Sequence, residues 1–360
     1  MDGLGTATPP VSIDQDAAAR VAVVYGALSA AQERIHRVLY RRSGVRSRAG
    51  VALRLVDGTP DAYGLFPPPL GAGDRGPGTR RRLEVYEEQA PPMAAAAARR
   101  ALTDAGIGAE EVDHLVVVTC TGFMAPGLDV SLVRELGLRG DIARTQIGFM
   151  GCHGAFVGLR QAAALTSAQP GSTALVVAVE LCSLHFQYGW DPARVVANAL
   201  FADGAAAAVV RGPEAGDDRE TLVLEAHGSW LAEASADAMT WRIGDHGFEM
   251  TLSAGVPDLI RRGLRGQIEP WLATRGLGLE DVATWAVHPG GPRILTAVSR
   301  ALELSDGALR VSRDVLADHG NMSSPTILFI LERLRLAGAP RPWVGLAFGP
   351  GLTTEAALLR

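Results

Sequence analysis

At 360 residues, 48% of them hydrophobic and 20% charged, the chain is long enough for two domains, or for one large duplicated domain, around a buried core. Its net charge of -5 supplies no basic field to hold a polyphosphate backbone, which argues against nucleic acid as a main partner. All 34 basic residues are arginine, so catalysis through a lysine Schiff base is excluded.

The first segment, MDGLGTATPPVSIDQDAAAR, has neither the basic stretch nor the apolar core of a secretion signal, and no apolar run is long enough to span a bilayer. A cytoplasmic protein with no membrane partner is expected. Residues 61–80, DAYGLFPPPLGAGDRGPGTR, are rich in Pro and Gly without periodicity and read as a long surface loop. A helix follows in APPMAAAAARRALTDAG. Three cysteines, Cys120, Cys152 and Cys182, are scattered without a CxxC pair, so reduced thiols are expected and neither a metal site nor a disulfide framework.

An internal repeat organises the rest. ALTDAGIGAEEVDHLVVVT (101–119) aligns without gaps on WLATRGLGLEDVATWAVHP (271–289), with Leu102/Leu272, Gly106/Gly276, Gly108/Gly278, Glu110/Glu280, Val112/Val282 and Val117/Val287 identical. Near the same offset FMGCHGAFVGLRQA faces DHGNMSSPTILFILERL, and TALVVAVE faces PWVGLAFGPG. A duplicated unit follows, each half an α/β layer with mostly parallel strands, divided as 1–212 and 213–360.

The duplication has a chemical consequence. Cys152 and Asn321 begin equivalent helices, which can face each other across a pseudo-two-fold axis. A helix N-terminus carries about half a positive charge and favours a thiolate, so Cys152 is a candidate nucleophile, with a small packed cysteine as the alternative. Gly151 and Gly154 permit close approach on both sides. Of the eight histidines, His153 is adjacent but diverges by about 100° on a helix. His288 ends the strand-like TWAVHPGG, at the carboxyl end where α/β sheets place functional groups, and is the preferred partner. His185, in ELCSLHF, reads as pocket-lining, whereas His36, His114, His227, His246 and His319 read as solvated or structural. Asn321 is either a helix cap or an amide donor to a developing enolate or thioester oxyanion.

With IGFMGCHGAF, NALFADGAAAAVV, WAVHPGGPRIL, GNMSSPTILFILERLR and GLAFGPGLTTE in this order, the chain resembles the type III polyketide synthases, the chalcone-synthase-like branch of the thiolase superfamily. The resemblance runs from about residue 85 to the end and extends to the start through GTATPP and LYRRSGVRSR. It implies a thiolase-like duplicated αβαβα fold and a homodimer without a cofactor beyond coenzyme A thioester substrates. An acyl-CoA starter, or malonyl-CoA itself, would load onto Cys152, and His288 and Asn321 would decarboxylate malonyl-CoA. Repeated condensation and cyclisation would then give an alkylpyrone, a resorcinol or a tetrahydroxynaphthalene-type product. The same resemblance places Phe201 and Phe248 as gatekeepers, and Ser323 and Pro350 on the cavity wall. Cys120, Cys182 and His185 stand where plant relatives carry threonines, which points to the bacterial branch. Arg34, Arg37 and Arg42 in ERIHRVLYRRSG are the expected contacts for coenzyme A phosphates, since arginine binds phosphate bidentately. A ketoacyl-acyl-carrier-protein synthase III-like enzyme and a noncatalytic thiolase-like partner subunit are the alternatives.

Overall fold

The structure, a computed structural model, describes residues 1–360 except 27, 57–58, 62–63, 72 and 213–220. Its strands are β1 (Gly3–Ala7), β2 (Ser12–Asp14), β3 (Ser47–Ala49), β4 (Arg54–Val56), β5 (Thr59–Asp61), β6 (His114–Thr119), β7 (Ala143–Gly148), β8 (Thr173–Leu181), β9 (Asp203–Arg211), β10 (Leu224–Leu231), β11 (Met239–Gly244), β12 (Gly247–Leu252), β13 (Thr284–Val287), β14 (Trp343–Gly349) and β15 (Thr353–Leu359). Its helices are α1 (Gln15–Gly26), α2 (Ala30–Arg41), α3 (Thr79–Ala105), α4 (Leu128–Leu136), α5 (Gly154–Ala168), α6 (Pro192–Leu200), α7 (Val256–Ala273), α8 (Pro292–Ala301), α9 (Arg310–His319) and α10 (Pro325–Leu336).

Two sheets carry the fold, ordered β1-β9-β8-β6-β7 and β10-β15-β14-β13. The two-residue side-chain period sorts each strand between two cores. In the first sheet Leu115, Val117, Leu175, Val177 and Val179 face outward onto the alanines of α3. Val116, Val118, Ala174, Val176 and Ala178 face inward, onto a core shared with α5, α10 and the second sheet's Ala347 and Ala357. The second sheet turns Val344, Leu346 and Phe348 to its own outer helices, α7 and α8. The layers therefore run α3, sheet, α5 with α10, sheet, α7 with α8, with the two central helices buried between the sheets. α3 lies directly on β1, because a Cβ at Gly3 or Gly5 would come within 2.2 or 2.4 Å of Ala101 backbone atoms.

The repeat is visible in the backbone. α3 and α7 end in left-handed glycines, Gly106 and Gly276. A 3-10 turn follows each, closed by Gly108 N donating to Glu111 and Gly278 N donating to Asp281, both at 2.7 Å. The parallel strands β6 and β13 come next, and β8 and β14 begin 170 residues apart at Thr173 and Trp343. The expectation of mostly parallel strands is corrected. β6 pairs parallel with β7 and β8, and β13 with β14, but β9 and β15 return antiparallel and β1 and β10 pair antiparallel with them. β15 follows β14 after three residues, whereas the connection from β8 to β9 carries α6 and still returns antiparallel. The helix expected at APPMAAAAARRALTDAG begins earlier, at Thr79, and continues through Pro91 and Pro92. Residues 64–71 and 73–78 of the expected loop have no regular structure, whereas 62–63 and 72 lie outside the described residues. The expected division after residue 212 opens onto 213–220, also outside them. Among the described residues no helix is long and apolar enough to cross a membrane.

Candidate active site

The chain leaves β7 and reverses sharply. Phe149 and Gly151 both take left-handed backbone conformations, φ 57° and 70°, before a 3-10 turn at Gly151–His153 runs into α5. A side chain at residue 151 would be strained and would meet Pro350 Cδ at 2.8 Å, so glycine is required there twice over. Cys152 is thereby delivered to the N-terminal end of a buried helix, as expected. Its protonation runs against the expectation, however. Burial pushes the thiol up to about 11, and hydrogen bonds from Ser323 and Asn321 offset this only in part. Removal of water disfavours the thiolate, and the Glu180 charge acts in the same sense.

Asn321 lies one turn before α10 rather than at its first residue. Its backbone forms a parallel bridge with Phe201 from the first half, with Asn321 N donating to Leu200 O at 2.8 Å and Ala202 N donating to Asn321 O at 2.9 Å. Its side-chain oxygen accepts from Ser323 N at 2.8 Å in an Asx turn, and the cap position of α10 is Ser324, so Asn321 is not the helix cap. The turn uses the oxygen only and leaves the amide N–H groups for Cys152. Ser323 holds a left-handed φ of 56°, a second strained non-glycine beside the site.

His288 follows β13 and is anchored by its backbone N donating to Leu346 O at 2.8 Å. The ring is 1% exposed, and neither nitrogen has a protein hydrogen-bond partner. Burial lowers it to about 3, with nearby His153 acting in the same sense. A buried imidazole with both nitrogens unpaired is destabilising by about 1–3 kcal/mol per orphaned group, and such groups call for a chemical reason. His153 is also buried and lowered to about 4, and its ring fills the space over Gly349, where a Cβ would lie 2.1 Å from its Cδ2.

Two apolar cavities meet beside the cysteine. The smaller, about 20 Å³, has Cys152 on its wall with Cys120, Ser323 and Pro350. The larger, about 110 Å³, extends between α1, the Arg48–Leu53 segment and α6. Cys182, Phe201, Trp241 and Met250 line both and form the constriction between them. Phe201 thus stands at the expected gate, but Phe248 faces only the larger cavity, its ring stacked on His185 at 4.3 Å. Met250, two residues on and on the same face of β12, is the one that reaches the constriction. His185 lines the larger cavity with both nitrogens engaged, Nε2 donating to Thr121 O at 2.6 Å and Nδ1 accepting from Phe248 N. Arg34 and Arg37 on α2 and Arg42 just past its end are exposed and line neither cavity, and Arg37 is paired with Glu33 at 2.6 Å. The arginines that reach the larger cavity are Arg48 and Arg194.

Glu180, Trp241 and Met250 went unread in the sequence. Glu180 is fully buried, accepts from Cys120 N, Thr121 Oγ1 and Ser324 Oγ at 2.8–2.9 Å, and is raised by burial. Its place in TALVVAVEL is a signal that was available, since an acidic residue in an otherwise apolar buried strand demands partners. Trp241 is fixed by its indole N–H donating to Cys120 O at 2.7 Å.

Two family models match the chain: chalcone and stilbene synthases, N-terminal domain, over residues 3–214, and the C-terminal domain over residues 225–360. Among curated relatives, a 1,3,6,8-tetrahydroxynaphthalene synthase of Streptomyces peucetius subsp. caesius is 40% identical over 90% of this chain and 84% of its own. The α-pyrone synthesis polyketide synthase-like Pks18 of Mycobacterium tuberculosis is 36% identical over 99% of this chain and 90% of its own. Of solved structures, PKS-I from the brown alga Ectocarpus siliculosus superposes with a TM-score of 0.93 at 33% identity, covering 100% of this chain and 97% of that one. The tetrahydroxynaphthalene synthase of Streptomyces coelicolor A3(2) superposes with a TM-score of 0.86 at 30% identity, covering 99% and 97%.

Proposed function

The chain belongs to the chalcone and stilbene synthase family and is a type III polyketide synthase, a carbon–carbon bond-forming acyltransferase that uses malonyl-CoA, and we propose that Cys152, His288 and Asn321 do its chemistry. Cys152, as thiolate, attacks the starter thioester, and coenzyme A leaves as its thiol with the proton the cysteine gave up. Malonyl-CoA then loses CO2, and its electron pair becomes an enolate that the His288 and Asn321 N–H donors hold. The enolate carbon attacks the acyl group on Cys152, the cysteine is expelled, and the chain, longer by one acetyl unit on coenzyme A, returns to Cys152 for the next cycle. The observation that carries this reading is the His288 imidazole, buried with both nitrogens unpaired, together with an asparagine whose oxygen is held by Ser323 N and whose side chain hydrogen-bonds to Cys152.

The small cavity accommodates little more than the reacting atoms, so starter and growing chain extend past Phe201 and Met250 into the apolar cavity beyond. That favours aliphatic acyl-CoA or malonyl-CoA as starter and an alkylpyrone, resorcinol or tetrahydroxynaphthalene as product. The exposed arginines on and just past α2 bind the coenzyme A phosphates, and the two halves divide at 212/213. The enzyme is a cytoplasmic homodimer. Exposed Phe123, Phe149 and Met150 next to the edge strand β7 support the dimer. Incubation with malonyl-CoA and a panel of acyl-CoAs, followed by mass spectrometry of products, tests the reading. Extended pyrones or resorcinols from aliphatic starters, or a naphthol from malonyl-CoA alone, are expected, and free starter acid as sole product would refute it.

A further inference from the structure

The constriction between the two cavities is bounded by Cys182, Phe201, Trp241 and Met250, and these four differ in their freedom to move. Trp241 donates its indole N–H to Cys120 O at 2.7 Å and stands edge-on to His185 and Phe248, with ring centroids at 5.4 and 5.8 Å. The Phe201 backbone is pinned on both sides, its N donating to Ala197 O at 3.0 Å and its oxygen accepting from Arg48 at 2.9 Å, and it bridges to Asn321. A shift of that backbone would carry Asn321 with it. Cys182 has only its sulfur beyond Cβ, too little to open or shut a passage. Met250 lies opposite Trp241 in the β11–β12 register, on a two-stranded sheet that joins neither main sheet. Its unbranched thioether has three rotatable bonds and fills gaps of more than one shape. An acyl chain that leaves Cys152 for the larger cavity must cross this ring of side chains, and a change of Met250 rotamer is the least costly way through.

We propose that Met250 is the movable gate between the two cavities and sets how long an acyl chain the enzyme accepts on Cys152. The inference rests on the reading above, that Cys152 is acylated and that chains extend past the constriction. Chains short enough to stay in the small cavity leave Met250 in place. Longer ones displace it and exchange its contacts for those of their own methylenes with the apolar wall beyond, so selectivity for chain length arises at this side chain.

The test follows acylation of Cys152 by intact-protein mass spectrometry with a series of saturated acyl-CoAs of increasing length, in the native enzyme and in Met250→Ala, Met250→Ile and Met250→Phe. Each protein is read as its own ratio of long-chain to short-chain loading, so a slower or less stable variant is compared with itself. Met250→Ala opens the passage and should raise the ratio by about three- to tenfold, the equivalent of roughly one or two buried methylenes. Met250→Ile keeps the volume but stiffens the first side-chain torsion, and should lower the ratio. Met250→Phe overfills the passage and should lower it by about ten- to hundredfold. Equal ratios in all four proteins would overturn the gate and leave the polyketide synthase reading standing. A native ratio in Met250→Ile would also overturn it, because the side chain would then be a passive wall. Failure of the native enzyme to load any acyl-CoA would overturn that reading, and the gate with it.

Discussion

Asn321 serves two roles through two different atoms, which makes them separable by substitution. Its Oδ1 accepts from Ser323 N at 2.8 Å and holds the turn in which Ser323 adopts its left-handed conformation. Its N–H groups are the ones available to an enolate. Asn321→Ala removes both and orphans the buried Ser323 N–H, which should reduce folding stability by about 1–3 kcal/mol. Asn321→Asp keeps an oxygen for Ser323 N and removes only the donor, so most of that stability should be retained. Decarboxylation of malonyl-CoA without starter, followed as acetyl-CoA formed, should nevertheless fall by about 10²–10³ in both variants, the range for loss of one well-placed oxyanion donor. If Asn321→Asp decarboxylates at the native rate, the amide does not bear the developing charge and Asn321 only holds the Ser323 turn.

Three further outcomes follow from burial and contact. Burial pushes the Cys152 thiol up to about 11, and a proton passed to His288 in the pairing proposed above is what would give a thiolate, so His288→Gln should move the pH profile of iodoacetamide alkylation upward. Superimposable profiles would contradict that pairing. His153, His185 and His288 are lowered to about 4, 3 and 3, so they stay neutral in the fold while the unfolded chain takes up protons below about 6.5. Stability is therefore complete above that pH and is lost as pH falls towards the folded values, by about 2 kcal/mol per histidine at about pH 5. Urea unfolding between neutral pH and pH 5 checks this, and a flat stability across the range would refute it. Gly349→Ala puts a Cβ 2.1 Å from His153 Cδ2 and 2.9 Å from Met150 O, and should be destabilising by about 1–3 kcal/mol and slow the acylation of Cys152. Unaltered stability and acylation would show that the loop before Cys152 yields freely.

Much of this architecture is local in origin and hence readable in the chain. Gly106, Gly108 and Glu110 lie in a helix stop and turn within five residues, and their identity with Gly276, Gly278 and Glu280 revealed the duplication directly. Cys152 and His288 are each placed by their own strand end and turn, so their spacing carried the information. The constriction is different. Phe248 and Met250 share one face of β12, so strand alternation does not choose between them; the choice depends on where along the β11–β12 hairpin the cavity narrows. Phe248 was the more prominent residue in the sequence, yet its face is taken by His185, which only the tertiary structure brings alongside. The expectation of a low cysteine pKa failed for a similar reason, because a helix end is legible in the sequence and the dryness of the pocket around it is not.

The central claim is that Cys152 alone carries the acyl chain, although Cys120 and Cys182 share its small cavity. Burial raises those two well above the ordinary thiol range, with the Glu180 charge acting in the same sense, and neither begins an α-helix of the central layer. The most direct measurement is peptide mapping by mass spectrometry after brief exposure of the full chain to an aliphatic acyl-CoA. One acyl group is expected on the peptide containing Cys152 and none on those containing Cys120 or Cys182. Addition of malonyl-CoA should discharge it as an extended polyketide, and Cys152→Ala should show no acylation. An acyl group found on Cys120 or Cys182, or acylation persisting in Cys152→Ala, would contradict the account.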